Sequence, residues 1–363
     1  MMKAGTISLM SFLLTGSIAC NFSQSLKKSA VGERNEPVKE FLFGDDRPFP
    51  QCHASTLIHF GANEFMAAWF GGTAEKNNDV GIWATIGRPG NWTAPKLVAK
   101  IKNEPHWNPV LFHTPQNSIQ LYFKVGMEIP QWQTYVTISK DKGKNWSSPV
   151  EIVPGDKGGR GPVRNKIIVL DDGTWLAGAS HEEGKWDVFF DRSTDQGKTW
   201  IATPHVELDR LLIKGKGVIQ PTLWESSPGN VHALLRSSAG LVCRTDSKDG
   251  GKTWSPVYKT NLPNPNSGID VAKLKDGTLL LAYNPDDKNW GSRGTLALAI
   301  SEDNGLSWNK RVLIEEGKKD EEYSYPAIIS FGETVAITYT WNRQKIAFWS
   351  APAQWIKDHA VMY

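Results

Sequence analysis

From Pro50 onward the chain is written as short apolar runs separated by polar turns, and most runs keep a two-residue period. HASTLIHF, EFMAAWF, DVGIWATI and KLVAKI lie between Gln51 and Lys100, followed by NPVLF, SIQLYFKV, YVTIS and PVEIV. NKIIVL, GTWLAGAS, WDVFFDRS and the residues after Trp200 form a third set, and QPTLWE, VHALLRS, LVCRTDS and SPVYKT a fourth. IDVAKL, TLLLAYN, TLALAIS and KRVLIEE form a fifth, while the sixth, YPAIIS, TVAITYTW and KIAFWSA, is one run short. Alternation over four to eight residues is the pattern of a strand, so each set predicts one small antiparallel sheet.

A polar phrase recurs at the same place in four of the sets: SKDKGKNW from Ser139, STDQGKTW from Ser193, SKDGGKTW from Ser247 and SEDNGLSW from Ser301, each 54 residues after the last. A fixed period of this length marks an array of like units. Each phrase reads as a tight turn between strands, with Asp accepting from backbone N–H groups two residues on and Gly supplying a positive φ. The Trp anchors the turn against the strands it joins. TIGRPGNW, ending at Trp92, is a decayed fifth copy one period earlier. A single small sheet cannot bury both faces, and radial stacking solves the problem. The residues from Pro50 to Tyr363 hold about 5.8 periods. This predicts an all-β, six-bladed β-propeller of four-stranded antiparallel blades. VKEFLFG at 38–44 is expected to supply the missing outer strand of blade six, removing two open sheet edges.

The chain before the propeller has a different character. Lys3 precedes the apolar run ISLMSFLLTGSIA, which ends at Ala19-Cys20. Such a run is too short for a stable membrane span and is placed as a signal peptide should be. Residues 1–20 therefore read as an export signal, with Cys20 as a possible lipid-anchor site. Residues 21–37 read as a polar tether, and 38–363 as the propeller. The expected location is secreted, periplasmic or anchored at an outer membrane. Cys52 and Cys243 fall in blades one and four, on opposite sides of a ring, so they are expected to stay free. The net charge of +3 comes from interspersed residues, which argues against a nucleic-acid surface. His106, His113 and His181 lack ligand spacing, so no metal or other cofactor is expected, and a monomer should suffice.

In a propeller the first strand of each blade lines the central channel, bringing distant segments to one mouth. Those segments supply His53, Asn108, Asn165 with Lys166, Gln220, Ser267 with Asp270, and Tyr323. Ends of the second strands add Phe70, Lys124, Ser180 to Glu182, Arg236, Tyr283 and Thr340 to Asn342. The concentration of Lys124, Lys166, Arg236, Arg293 and Arg343 points to an anionic ligand.

The S-x-D-x-G-x-[ST]-W phrases resemble the Asp boxes of the sialidase superfamily, with Asn145 departing in the first copy. The resemblance runs through most of residues 50–345. It implies that Arg236 in LLRSS and Arg293 before TLALAIS grip a substrate carboxylate. It also implies that Tyr323 in EYSYPA is the nucleophile and that Glu75 or Asp79 is the acid. Two positions depart from the family: CHAS, with His53, stands where an R-I-P phrase is usual, and Gln220 in IQPTL stands where a glutamate would deprotonate the tyrosine. An amide is no general base, so Glu182 on the neighbouring blade is the candidate to activate Tyr323.

The resulting expectation is an exported exo-glycoside hydrolase of sialidase type that removes a terminal acidic sugar. Arg236, Arg293 and Arg343 would bind the substrate with Gln220, Lys166, Asn108 and Asp270. Tyr323 would attack, Glu182 polarise it, and Glu75 or His53 protonate the departing oxygen. The alternatives are a glycan-binding propeller without catalysis and a glycan lyase using His53 and Tyr323 as base and acid.

Overall fold

The computed structural model describes residues 36–61 and 63–363; the signal segment, Cys20 and nearly all of the tether lie outside them. Six antiparallel sheets follow one another along the chain and close into a propeller. Their strands span 51–99 (blade one), 106–151 (two), 168–202 (three), 218–263 (four), 270–316 (five) and 323–352 (six). Val38–Phe41 pairs with the last strand of blade six, Val38 opposite Ser350 and Phe41 opposite Ala347, so one sheet joins both ends of the ring.

The apolar residues gather into six separate cores, each between neighbouring blades. Met66, Ala68 and Phe70 pack with Trp107, Leu111 and Leu121 of blade two. Their alternates Ala67 and Trp69 pack with Ala336 and Phe348 of blade six. Both faces of a blade are thus buried, which is why Phe65–Gly72 is buried at every position. Hydrophobic burial drives each of these contacts.

The four Asp-box turns close with one hydrogen-bond pattern. In the second, the Ser193 hydroxyl accepts from Gly197 N at 2.8 Å and donates to Asp195, which accepts from Thr199 N at 2.9 Å. Each turn needs two consecutive left-handed residues, as at Gln196 (φ 64°) and Gly197 (φ 82°). The second is Gly because a Cβ there would crowd packed side chains: at Gly197 it would lie 2.8 Å from Trp175 of the same blade. The decayed copy lacks the Asp. Glu40 of the N-terminal strand replaces it, accepting from Gly90 N at 2.9 Å and Trp92 Nε1 at 2.5 Å.

The last residues depart from the four-strand expectation. A short helix, Ala353–Asp358, leads Val361–Met362 onto the outer edge of blade five, where Val361 pairs with Arg311. Cys52 and Cys243 are free and buried.

Candidate active site

Connections between second and third strands, and between successive blades, lie at one end of the ring and form its mouth. Asp boxes, between third and fourth strands, lie at the other. Where each blade begins at the mouth, one residue takes the left-handed backbone: Ala54 (φ 55°), Asn108 (43°), Arg164 (68°), Gln220 (54°), Asn266 (58°) and Tyr325 (51°). In blades one, two, four and six this residue breaks the ladder, between His53 and Thr56, Trp107 and Val110, Ile219 and Thr222, and Ser324 and Ala327. Such a bulge re-aims a side chain. The conformation costs on the order of 1–3 kcal/mol for a residue other than Gly, and proline follows Asn108, Gln220 and Tyr325, which disfavours helical backbone before it.

Three of these six residues converge on one guanidinium. Arg236 ends the second strand of blade four and donates from Nε to Asn266 Oδ1 at 2.7 Å. Its Nη1 donates to Gln220 Oε1 at 3.1 Å and to the phenolic oxygen of Tyr325 at 2.7 Å. Arg236 is 4% exposed, and none of its acceptors is a carboxylate. A buried cation held only by neutral groups is costly unless an anion completes its shell. The Tyr325 ring has the guanidinium carbons of Arg164, Arg236 and Arg293 at 5.4, 5.5 and 5.6 Å from its centroid. The His53 imidazole stands 4.2 Å away, centroid to centroid.

On the blade five and six side, Glu322 binds Arg293 Nη1 at 3.0 Å and Arg343 Nε at 2.8 Å, and accepts from the Ser324 hydroxyl at 2.6 Å. Burial opposes ionisation of Glu322, yet its two arginines outweigh that and hold it well below the usual carboxylate range. Arg343 also binds Glu75. A cleft of about 360 Å³ opens here between Trp290, Arg293, Lys319, Glu322 and Arg343.

The sequence expectations distribute unevenly over this geometry. Tyr323 is not at Arg236; it is buried in the core between blades five and six, near Trp341. Tyr325 meets the arginine instead. A two-residue period puts both tyrosines on one face, and the bulge with its left-handed residue separates them. His53 accordingly faces Tyr325, so the His53–Tyr323 pair expected for a lyase is not formed. Burial, reinforced by Arg343, holds His53 far below its ordinary range and keeps it neutral. Its Nδ1 is buried without a partner among the described residues.

Glu182, at the end of the second strand of blade three, accepts from Ser180 at 3.4 Å and makes no hydrogen bond to Tyr325 among the described residues. Burial raises its carboxyl pKa, partly opposed by Arg236. Glu75 is committed to Arg343, and Asp79 caps its own turn by accepting from Thr73 N at 2.7 Å. Lys166 and Asp270 bind each other at 2.8 Å within the channel, where Asp270 also accepts from Thr222 and Ile328 N. Lys124 is buried against Thr134 and the Arg160 carbonyl, and burial pushes it down to about 7. Asn108 is the left-handed residue of blade two and is buried. Among the described residues no three His, Cys, Asp or Glu side chains are grouped to hold a metal ion.

Arg164, Asn266, Glu322 and Tyr325 were not anticipated as site residues. The Asn-Pro, Gln-Pro and Tyr-Pro pairs at three blade entrances were the available signal for Tyr325. Glu322 and Arg164 carried none beyond their charge.

Residues 63–337 match the family described as BNR repeat-like domain, and with its boxes and six blades the chain belongs to that family as a divergent member of the sialidase superfamily. A sialidase from Bacteroides fragilis (strain YCH46) is 26% identical over 213 residues, covering 47% of this chain and 36% of that protein. The chain thus spans well under half the length of that curated relative. Among solved structures, the Hadza microbial sialidase Hz136 superposes with TM-score 0.70 at 17% identity, covering 84% of this chain and 66% of the other. A protein of unknown function from Dyadobacter fermentans DSM 18053 superposes at 0.69 with 18% identity, covering 87% and 97%. At these identities the structural likeness is one of fold.

Proposed function

We propose that the protein is an exo-acting glycoside hydrolase that releases a terminal carboxylate-bearing sugar, sialic acid or a similar acid, and works outside the cytoplasm. The observation that carries this reading is Arg236, buried and held by three neutral acceptors, one of them the phenolic oxygen of Tyr325. A ligand carboxylate supplies the anion that the protein does not place in contact with Arg236, and Arg293 flanks the same ring. Tyr325 then faces the anomeric carbon. A phenol suits this attack because a carboxylate nucleophile would meet like charge. The phenolic proton passes to water, and Arg236, donating to the oxygen, stabilises the charge left there. A second water cleaves the tyrosyl–sugar bond, returning the proton to Tyr325. Glu182, with its raised pKa, keeps a proton at higher pH than an ordinary glutamate and fits the donor to the departing oxygen.

A second reading, a carbohydrate-binding propeller without turnover, is favoured by two observations: the amide of Gln220 bonds Arg236, and no carboxylate bonds Tyr325 among the described residues. The experiment that separates them is release of the aryl group from sialyl and uronyl aryl glycosides, alongside calorimetric binding of the free acids. Tyr325→Phe should lower turnover by about 10³-fold or more with binding retained, and Tyr323→Phe should leave turnover within a few-fold of wild type. Full activity in Tyr325→Phe would end the hydrolase mechanism.

A further inference from the structure

Arg164 lies across the channel from the residues it binds. It enters from blade three in the left-handed conformation (φ 68°), is 1% exposed, and donates from Nη1 to the Ser55 carbonyl at 3.1 Å and from Nη2 to the Pro326 carbonyl at 2.5 Å. Those carbonyls belong to the residues directly after Ala54 and Tyr325, the left-handed residues of blades one and six. The two bulges carry His53 and Tyr325, whose rings meet at 4.2 Å. One rigid, planar guanidinium therefore ties together the two backbone segments whose relative placement sets that contact. No carboxylate touches Arg164 among the described residues. Its charge lies 5.4 Å from the Tyr325 ring.

We infer that Arg164 is the positioning residue of the site, fixing Tyr325 against His53 by holding the Pro326 and Ser55 carbonyls in one fork. Simple cohesion of the ring would not require this group, since buried ionic residues can often be replaced by apolar ones of similar volume without loss. A fork of fixed geometry is what an ammonium cannot reproduce. Arg164→Lys keeps the charge but can satisfy only one of two diverging carbonyls well. The Tyr325 backbone is then released from its strained conformation and the ring contact loosens.

The test needs no substrate. Histidine-labelled protein is observed by NMR, with the His53 signal assigned through His53→Asn and its position without the neighbouring ring defined by Tyr325→Ala. In folded Arg164→Lys the His53 signal should move toward its Tyr325→Ala position, while His232 and His359, away from the mouth, stay in place. A His53 signal coincident with wild type would overturn the inference. So would failure of both Arg164→Lys and Arg164→Gln to fold, which would make the residue one of assembly alone. In the aryl glycoside assay, a step that relies on the reading of Tyr325 as nucleophile, Arg164→Lys should lower kcat by about tenfold or more with KM nearly unchanged. Absence of turnover in the wild type would count against the hydrolase reading and leave the NMR result standing.

Discussion

At the face away from the mouth, Gln196 and Gly197 turn the chain at φ 64° and 82°, and the hydroxyl of Ser193 and carboxylate of Asp195 satisfy the turn from within the same eight residues. At the mouth, Gln220 and Tyr325 adopt similar backbone at φ 54° and 51°, and their side chains meet Arg236 from separate blades. Both regions place residues in the left-handed region. In the boxes the strain is relieved by glycine and offset locally by hydrogen bonds, so the turns serve stability. At the mouth it is borne by residues other than glycine, and three of the six, Gln220, Asn266 and Tyr325, aim their polar groups at one guanidinium. Strain held by functional residues and supported by distant partners is the arrangement expected of a site.

The sharpest way to break this comparison is Arg236→Met. If the mouth serves ligand binding, affinity for the free acidic sugar should fall about 100-fold or more. Thermal stability should hold or rise, because a buried cation without a contacting anion is removed. A large drop in Tm with binding retained would place Arg236 with the structural turns instead.

A paired exchange has an intermediate effect. Gly197→Ala should cost about 1–3 kcal/mol in denaturant unfolding, from left-handed strain and the 2.8 Å approach of its Cβ to Trp175, with ligand affinity unchanged. Gln220→Gly should keep stability within about 1 kcal/mol, since relieved strain offsets the entropy of glycine, while ligand affinity falls as Arg236 loses a partner. Equal effects of the two on stability would erase the distinction.

Acid titration gives the smallest effect, under about 1 kcal/mol at the exposed Asp249. Slight burial opposes it, but bonds from Thr253 and Ser247 hold box residue Asp249 down to about 2. Its stabilisation is present above the unfolded value of about 3.9 and is lost as pH falls toward 2. Asp249→Asn should therefore be less stable than wild type at neutral pH, with the difference vanishing near pH 2. Glu182 runs the other way: burial raises its folded pKa, so its contribution is present below about 4.3 and is lost as pH rises through the folded value. Glu182→Gln should be more stable than wild type at neutral pH and equal to it in acid, measured by denaturant unfolding across the pH range.

The number of blades, their order, their strands and the closure by 38–44 were legible because each rests on local chemistry. Ser, Asp, Gly and Trp form a turn within eight residues, and apolar alternation forms a strand within eight more. Repetition every 54 residues then turned one local rule into a ring. Arg236, Arg293, Arg343 and Gln220 could be brought to the mouth by the same logic, since strand ends converge wherever the blades do.

What the sequence by itself determined, then, is the propeller and the polarity of its mouth, because hydrogen bonds inside a turn and alternation inside a strand need no distant partner. Only the tertiary structure decided that Tyr325 rather than Tyr323 faces Arg236, that Glu322 occupies Arg293 and Arg343, and that Arg164 spans the channel. The left-handed residues of the mouth lie at intervals of 54, 56, 56, 46 and 59, without the strict period of the boxes. Ala54, Arg164, Gln220, Asn266 and Tyr325 are each held by groups from another blade, so the reason for their conformation is absent from their own neighbourhood in the chain.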